Sequence, residues 1–247
     1  MRKRKEFIVT NSITDIHCHI LPNMDDGAKD VEISVKMAQM ALEEGINRII
    51  ATPHFEPDVK NIEDFIAKRA GAISHLTSEL EARGIEINIL PGAEVYLTPS
   101  LLELDRIERL CLGNTRYMLV EIPFMSVPIW MDQILYSLQL KGVIPVLAHP
   151  ERNMKLITKP QILDNLVDRG LMLQINASSF CNGIDRELKG FMRYVMKNQM
   201  VHFLATDAHG TGSRPPKIQE SIEIIADTYG RDIVEYMLEN AREIGEI

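Results

Sequence analysis

Apolar residues recur along the chain in two alternating rhythms. Short, nearly continuous apolar runs over 12–20, 48–55, 86–95, 117–124, 143–149, 171–178 and 201–207 read as strands. Between them, apolar positions return at helical spacing over 30–44, 61–83, 98–110, 128–141, 160–169, 186–197, 216–229 and 232–242. The punctuation agrees with the rhythm. Asp30 stands where an N-cap belongs, Pro99 stands in a first turn, and Gly45, Gly84, Gly142 and Gly170 follow the ends of four helical stretches. The run 143–149 is apolar almost throughout, as suits a strand buried on both faces. Strand-then-helix units in this order predict an α/β fold with a parallel sheet and helices outside. Seven units in 247 residues predict a TIM-like (β/α)7 barrel, slightly irregular or short of the usual eight. An open doubly wound sheet is the alternative, but no glycine-rich turn follows the first strand, so a dinucleotide site has no support. No linker or composition shift interrupts the pattern. A single domain over 12–247 is expected, after a basic tail at 1–11.

The polar residues that close the apolar runs change the picture from fold to chemistry. In Asp15-Ile16-His17-Cys18-His19 the two histidines share one strand face and Cys18 points away. Two imidazoles about 7 Å apart along a strand are able to hold one metal ion. Asp25-Asp26-Gly27 follows closely, and other apolar runs end at His54, Glu94, Glu121, His149, Asp207 and, just beyond, His209. In a barrel the C-terminal strand ends carry the active site, and these residues stand there. A mixed imidazole and carboxylate set suits zinc, manganese or iron(II) and disfavours a thiolate site. Five histidines and four carboxylates exceed one ion's needs and would serve two or three. Closely spaced ions fit displacement at phosphorus. Arg152 and Arg214 follow two of these strand ends, and a guanidinium grips phosphate oxygens in bidentate fashion. His75, in a helical stretch, and His202, at a strand start, read as ordinary residues.

Composition excludes several functions. The net charge of −8 disfavours broad nucleic-acid binding. No apolar run is long enough to span a membrane, and no apolar signal core follows the basic start. Three scattered cysteines, Cys18, Cys111 and Cys181, fit a reducing cytoplasm. A cysteine phosphatase needs an arginine six positions after its nucleophile. Met24, Tyr117 and Glu187 occupy those positions, and no nucleophile-elbow serine is present. A metal-activated water is therefore the expected nucleophile.

The ordered set Asp15-Ile-His-Cys-His-Ile-Leu-Pro, Met24-Asp-Asp-Gly, Ala51-Thr-Pro-His, Leu90-Pro-Gly-Ala-Glu, Glu121-Ile-Pro-Phe, Ala148-His-Pro-Glu-Arg-Asn and Thr206-Asp-Ala-His with Arg214-Pro-Pro resembles the polymerase-and-histidinol-phosphatase (PHP) superfamily. Within it, the chain is similar to the manganese-dependent protein-tyrosine phosphatases of bacterial capsule and exopolysaccharide operons. The resemblance spans about residues 12 to 240. It implies the PHP fold, a distorted seven-stranded barrel, and three divalent metal ions. These are manganese by the resemblance, although the ligands would also accept iron or zinc. One ion would be held by His17, His19, Glu94 and Asp207. A second would share Glu94 and add Glu121 and His149, and the third would use Asp26, His54 and His209. Asp26 is preferred over Asp25 because it directly precedes the glycine. Arg152 and Arg214 fall where the family binds the phosphoryl group. The implied substrate is the phosphotyrosine tail of a bacterial tyrosine kinase that controls polysaccharide export. The competing readings are a small-molecule phosphatase of the histidinol-phosphatase type and a non-catalytic regulator that binds the kinase tail.

Overall fold

A computed structural model describes residues 12–181 and 185–246 of the chain, so the expected tail at 1–11 lies outside the described residues. Strand and helix alternate in the order β1 (Ile13–Cys18), α1 (Val31–Glu43), β2 (Ile46–Ala51), β3 (His54–Phe55), α2 (Ile62–Ala82), β4 (Asn88–Pro91), β5 (Glu94–Tyr96), β6 (Tyr117–Glu121), α3 (Met131–Leu140), β7 (Ile144–Ala148), α4 (Met154–Thr158), α5 (Asp164–Asp168), β8 (Met172–Asn176), α6 (Arg186–Lys197), β9 (Phe203–Ala205), α7 (Gln219–Tyr229) and α8 (Arg231–Glu246). Helix starts follow local capping chemistry. Asp30 accepts from Ile33 N at 2.9 Å, Asn61 from Glu63 N at 2.9 Å, and Asp185 from Leu188 N at 2.8 Å.

Among the described residues every strand pairing is parallel. The strands form two sheets, β1-β2-β4 and β3-β5-β6-β7-β8-β9. The division corrects the expectation of seven uninterrupted strands. The runs 48–55 and 86–95 each break in two, at Thr52-Pro53 and at Gly92-Ala93. Pro53 has no N–H to give to a ladder. Gly92 admits a close approach: a Cβ there would lie 2.7 Å from Ile50 Cγ2. The sheets curl until β1 meets the segment just after β9 in a single parallel bridge, Cys18 to Ala208, and not in a full closed ladder. Two backbone bonds complete that seam, Asp207 N to His17 O at 2.8 Å and His19 N to Ala208 O at 2.9 Å.

Ile16, Ile50, Leu119, Val146 and Phe203, from five different strands, are all buried and cluster with Ala241 and Ile244 of α8. A larger apolar cluster joins the strands to the surrounding helices. Several helix bounds differ from the spacing. The stretch 98–110 forms two 3-10 turns, Pro99–Glu103 and Ile107–Leu110, separated where Arg106 takes a positive φ of 59°. Pro160–Leu163 is a 3-10 turn leading into α5, and α3 starts at Met131. The short α4 is not marked by spacing at all. α7 begins at Gln219, after Pro215-Pro216, because Glu44 Oε2 accepts from Ile218 N and Gln219 N at 3.0 and 2.9 Å. That cap comes from 174 residues away in sequence, where no local pattern reveals it. No helix among the described residues is long and apolar enough to cross a membrane.

Candidate metal centre

β1 delivers His17 and His19 to one face, as a period of two requires. Their Nε2 atoms lie 3.2 Å apart, while Cys18 is buried on the opposite side. The other predicted residues arrive from the ends of neighbouring strands. All nine fall in four overlapping groups, each with ligand atoms within 4.8 Å of one another. These groups are His17–His19–Glu94, His17–His149–Asp207, His54–Glu94–Glu121 and His19–Asp26–His54–His209. The grouping by distance cuts across the expected sets: His54 lies with Glu94 and Glu121 as well as with Asp26 and His209. His149 groups with His17 and Asp207, although its Nε2 also lies 2.7 Å from Glu94 Oε1. His19 joins the set of Asp26, His54 and His209.

Glu94 lies at the centre of the cluster. It is buried, and its Oε2 is 3.2 Å from His17 Nε2, 3.2 Å from His19 Nε2 and 3.1 Å from His54 Nδ1. None of these contacts has hydrogen-bond geometry, and Oε2 has no hydrogen-bond partner. Asp207 Oδ1 is in the same position, 3.4 Å from His17 Nε2 and 3.6 Å from His19 Nε2 without a hydrogen bond. A buried acceptor left this way is costly. Two ligands of one ion, each about 2.1 Å from it, stand roughly 3.0–3.4 Å apart in tetrahedral or octahedral geometry. Four of the five spacings fall in that range and the fifth, 3.6 Å, lies just above it, and the groups that meet are all imidazole and carboxylate. The residues therefore fit divalent cations of the zinc, manganese or iron(II) type.

A second ring of side chains fixes the first. Asp25 does not face the cluster centre. Its Oδ2 accepts from His19 Nδ1 at 2.7 Å and from His54 N at 3.0 Å, and its Oδ1 accepts from Gly27 N at 2.9 Å. Asp26, mostly exposed, turns its Oδ1 to within 3.3 Å of both His54 Nε2 and His209 Nε2. On β8, Gln174 Oε1 accepts from His17 Nδ1 at 2.9 Å. Gln174 Nε2 then donates to Asn176 Oδ1 at 2.9 Å, and Asn176 Nδ2 donates to Asp207 Oδ2 at 2.7 Å. Asp15 accepts from Thr206 N at 3.0 Å and Thr206 Oγ1 at 2.5 Å, which ties β1 to the segment carrying Asp207. Glu151 accepts from Asn176 N at 2.8 Å and Ser179 Oγ at 3.0 Å and so pins the turn between His149 and Arg152. Burial pushes the carboxyls of Asp15 and Glu151 above their ordinary range. Sequence reading assigned no role to Gln174 or Asn176. Their only signal is two amides two residues apart on an otherwise apolar strand.

The electrostatics separate the histidines. Burial disfavours the His19 imidazolium, but the Asp25 and Glu94 carboxylates outweigh it and carry its pKa up to about 10. Burial, with His19 and Arg214 nearby, pushes His209 down to about 4, so it is a neutral donor at pH 7. Burial likewise opposes ionisation of Glu94 and Asp207. The imidazoles around them prevail, led in both by His17, and hold both carboxyls well below the usual range. His149 and Asp207 both take positive φ, 31° and 52°, which is strained for residues with a Cβ. Arg152 Nη1 and Arg214 Nη2 both reach Asp207 Oδ2, at 3.2 and 2.6 Å. Each arginine is about one-third exposed, at 37% and 35%, so both open onto the mouth of the site. His75 is exposed, and His202 accepts from Leu173 N at 3.2 Å; neither belongs to the cluster.

The family model described as "Capsular polysaccharide synthesis, CpsB/CapC" matches residues 13–245. Tyrosine-protein phosphatase YwqE of Bacillus subtilis is 38% identical over 228 residues, covering 92% of this chain and 89% of that protein. Tyrosine-protein phosphatase CpsB of Streptococcus agalactiae serotype III is 31% identical over 240 residues, covering 93% of this chain and 97% of that protein. A solved structure from the work on YwqE of Bacillus subtilis and CpsB of Streptococcus pneumoniae, described as unique metal-dependent tyrosine phosphatases, superposes with a TM-score of 0.86. It is 38% identical, and the match covers 94% of each chain.

Proposed function

Because the chain belongs to the CpsB/CapC capsular polysaccharide synthesis family, we propose that it is a metal-dependent protein-tyrosine phosphatase. The observation that carries the reading is the buried carboxylate pair, Glu94 and Asp207, whose unbonded oxygens meet imidazole nitrogens at ligand-to-ligand spacing. His17, His19, Asp26, His54, Glu94, Glu121, His149, Asp207 and His209 would hold up to three divalent ions, with manganese the first candidate and iron or zinc compatible with the donors. When bound, such ions lower the pKa of water and neutralise charge on a phosphoryl group.

The chain's own residues supply the rest. Arg152 and Arg214 would leave Asp207 for the equatorial phosphoryl oxygens and stabilise the charge that gathers there in the transition state. Gln174 and Asp25, by accepting hydrogen bonds from the Nδ1–H groups of His17 and His19, leave each Nε2 lone pair free to bind an ion. Phenol has a pKa of about 10, so a tyrosinate departs without a strong general acid. The substrate would be a phosphotyrosine protein, the tail of a bacterial tyrosine kinase that governs capsule or exopolysaccharide synthesis. The three cysteines Cys18, Cys111 and Cys181 are free, which supports a cytoplasmic setting. We read the strand segments β2/β3 and β4/β5 as two kinked strands, so that the fold is a distorted (β/α)7 barrel in one domain from residue 12 onward.

The test is phosphate release from a phosphotyrosine peptide and from histidinol phosphate, after metal stripping and reloading with manganese, iron(II) or zinc. Metal-dependent release from the peptide in preference to the small ester is expected. Preference for histidinol phosphate would replace the substrate and keep the site. Retained peptide binding without turnover under any metal would point to the non-catalytic regulator.

A further inference from the structure

The β6–α3 loop exposes apolar side chains beside the metal cluster. Among the described residues eight large hydrophobic side chains are exposed, and four of them, Phe124, Met125, Ile129 and Met154, lie on this loop or on the residue that clamps it. The loop is held firmly. Buried Asn153 donates to Pro123 O at 2.6 Å and to Ser126 O at 2.9 Å, and Met154 N donates to Phe124 O at 2.7 Å. Phe124 is therefore kept at the surface by its backbone although burial would favour it. Its ring centroid is 6.0 Å from that of His149, and the Arg152 guanidinium lies over it at 4.6 Å from the centroid.

We infer that Phe124 is a specificity-determining residue whose exposed ring surface receives the aromatic ring of the substrate. The inference rests on the phosphotyrosine reading above. Arg152 joins the two parts of such a substrate. Its guanidinium touches both Asp207, at the metal cluster, and the Phe124 ring. In an aryl phosphate the ring is one ester oxygen away from phosphorus. A phosphoryl group held by Arg152 and Arg214 thus brings the ring to the level of Phe124, where offset or edge-to-face packing is available. An alkyl phosphate puts only a methylene there and gains little. Met125, Ile129 and Met154 extend the apolar rim to residues flanking the tyrosine.

The experiment compares KM for a phosphotyrosine peptide with Ki for inorganic phosphate, a ligand without a ring, in metal-loaded wild type, Phe124→Ala and Phe124→Tyr. Phe124→Ala should raise KM for the peptide about threefold to tenfold, the size of one aromatic pair. Ki for phosphate should stay unchanged, and Phe124→Tyr should keep the wild-type KM. An unchanged KM in Phe124→Ala would overturn the inference. So would a parallel rise in KM and Ki, which would mean that Phe124 acts only by placing Arg152. A wild-type enzyme that binds phosphate but hydrolyses no phosphotyrosine peptide would overturn the phosphatase reading itself, and this inference with it.

Discussion

At Asp207 one carboxylate oxygen takes two guanidinium groups and an amide, while the other faces His17 without a hydrogen bond. The arginines and the candidate metal cluster are thus joined through a single residue, and mutations should separate their roles. Arg152→Ala and Arg214→Ala should each lower kcat by about 10²–10³-fold, the usual cost of one donor to a transition-state oxyanion. Both should keep wild-type metal content by elemental analysis. Unchanged turnover in both would remove them from the mechanism. Gln174 acts at one remove. Gln174→Leu takes away the acceptor that fixes the His17 tautomer and should weaken metal retention against a chelator by about 10–100-fold. The matching Gln174→Glu keeps an acceptor and should retain more metal than the leucine variant.

At the scale of elements, the site depends on short breaks in regular structure. The loop after β1 folds back so tightly that a Cβ on Gly27 would strike His19 O and come within 2.5 Å of His19 Cβ. That loop carries Asp25, which orients His19, and Asp26, which faces His54 and His209. Gly27→Ala should therefore cut metal content and activity by at least about tenfold, the cost of losing a supporting group. Far-ultraviolet circular dichroism should remain near wild type, because helices and sheet lie elsewhere. The breaks at Thr52-Pro53 and Gly92-Ala93 act in the same sense. They end one sheet and start the next, and His54 and Glu94, the first residues of β3 and β5, pair directly across the ladder.

For the whole molecule, metal and fold should be linked. The nine candidate ligands come from segments spread between residues 17 and 209, so ions that bind only the folded chain should raise its thermal midpoint, and chelation should lower it. The chelated protein should also show a distinct pH dependence. His19 is held at about 10 when folded against 6.5 for the free side chain, so its imidazolium stabilises the metal-free fold fully below about pH 6.5. That contribution declines as pH rises and is gone above about 10. Thermal melts of chelated protein should fall through this range, and His19→Ala should flatten the slope. A midpoint independent of pH between 7 and 10 would contradict the His19–Asp25 pairing. Metal loading displaces the same proton, so affinity should increase with pH over the same interval.

Much of this was legible in the chain order itself. Alternating apolar rhythms determine strands and helices because burial on one face repeats at 2 or 3.6 residues, and that arithmetic is local. The nine candidate ligands were visible because polar residues interrupt or follow the apolar runs where buried strands give way to loops. The tertiary structure decided what has no local period. It decided that two runs break at Pro53 and Gly92, that Glu44 caps α7, and that Asp25 supports while Asp26 faces the cluster. It also placed Gln174 and Asn176 between His17 and Asp207 and kept Phe124 at the surface beside Arg152. Each of these depends on which groups meet across more than two dozen intervening residues, or on which of two adjacent carboxylates points inward. Neither is determined by hydrophobic pattern, because a one-residue choice in a loop or a long-range hydrogen bond leaves the pattern unchanged.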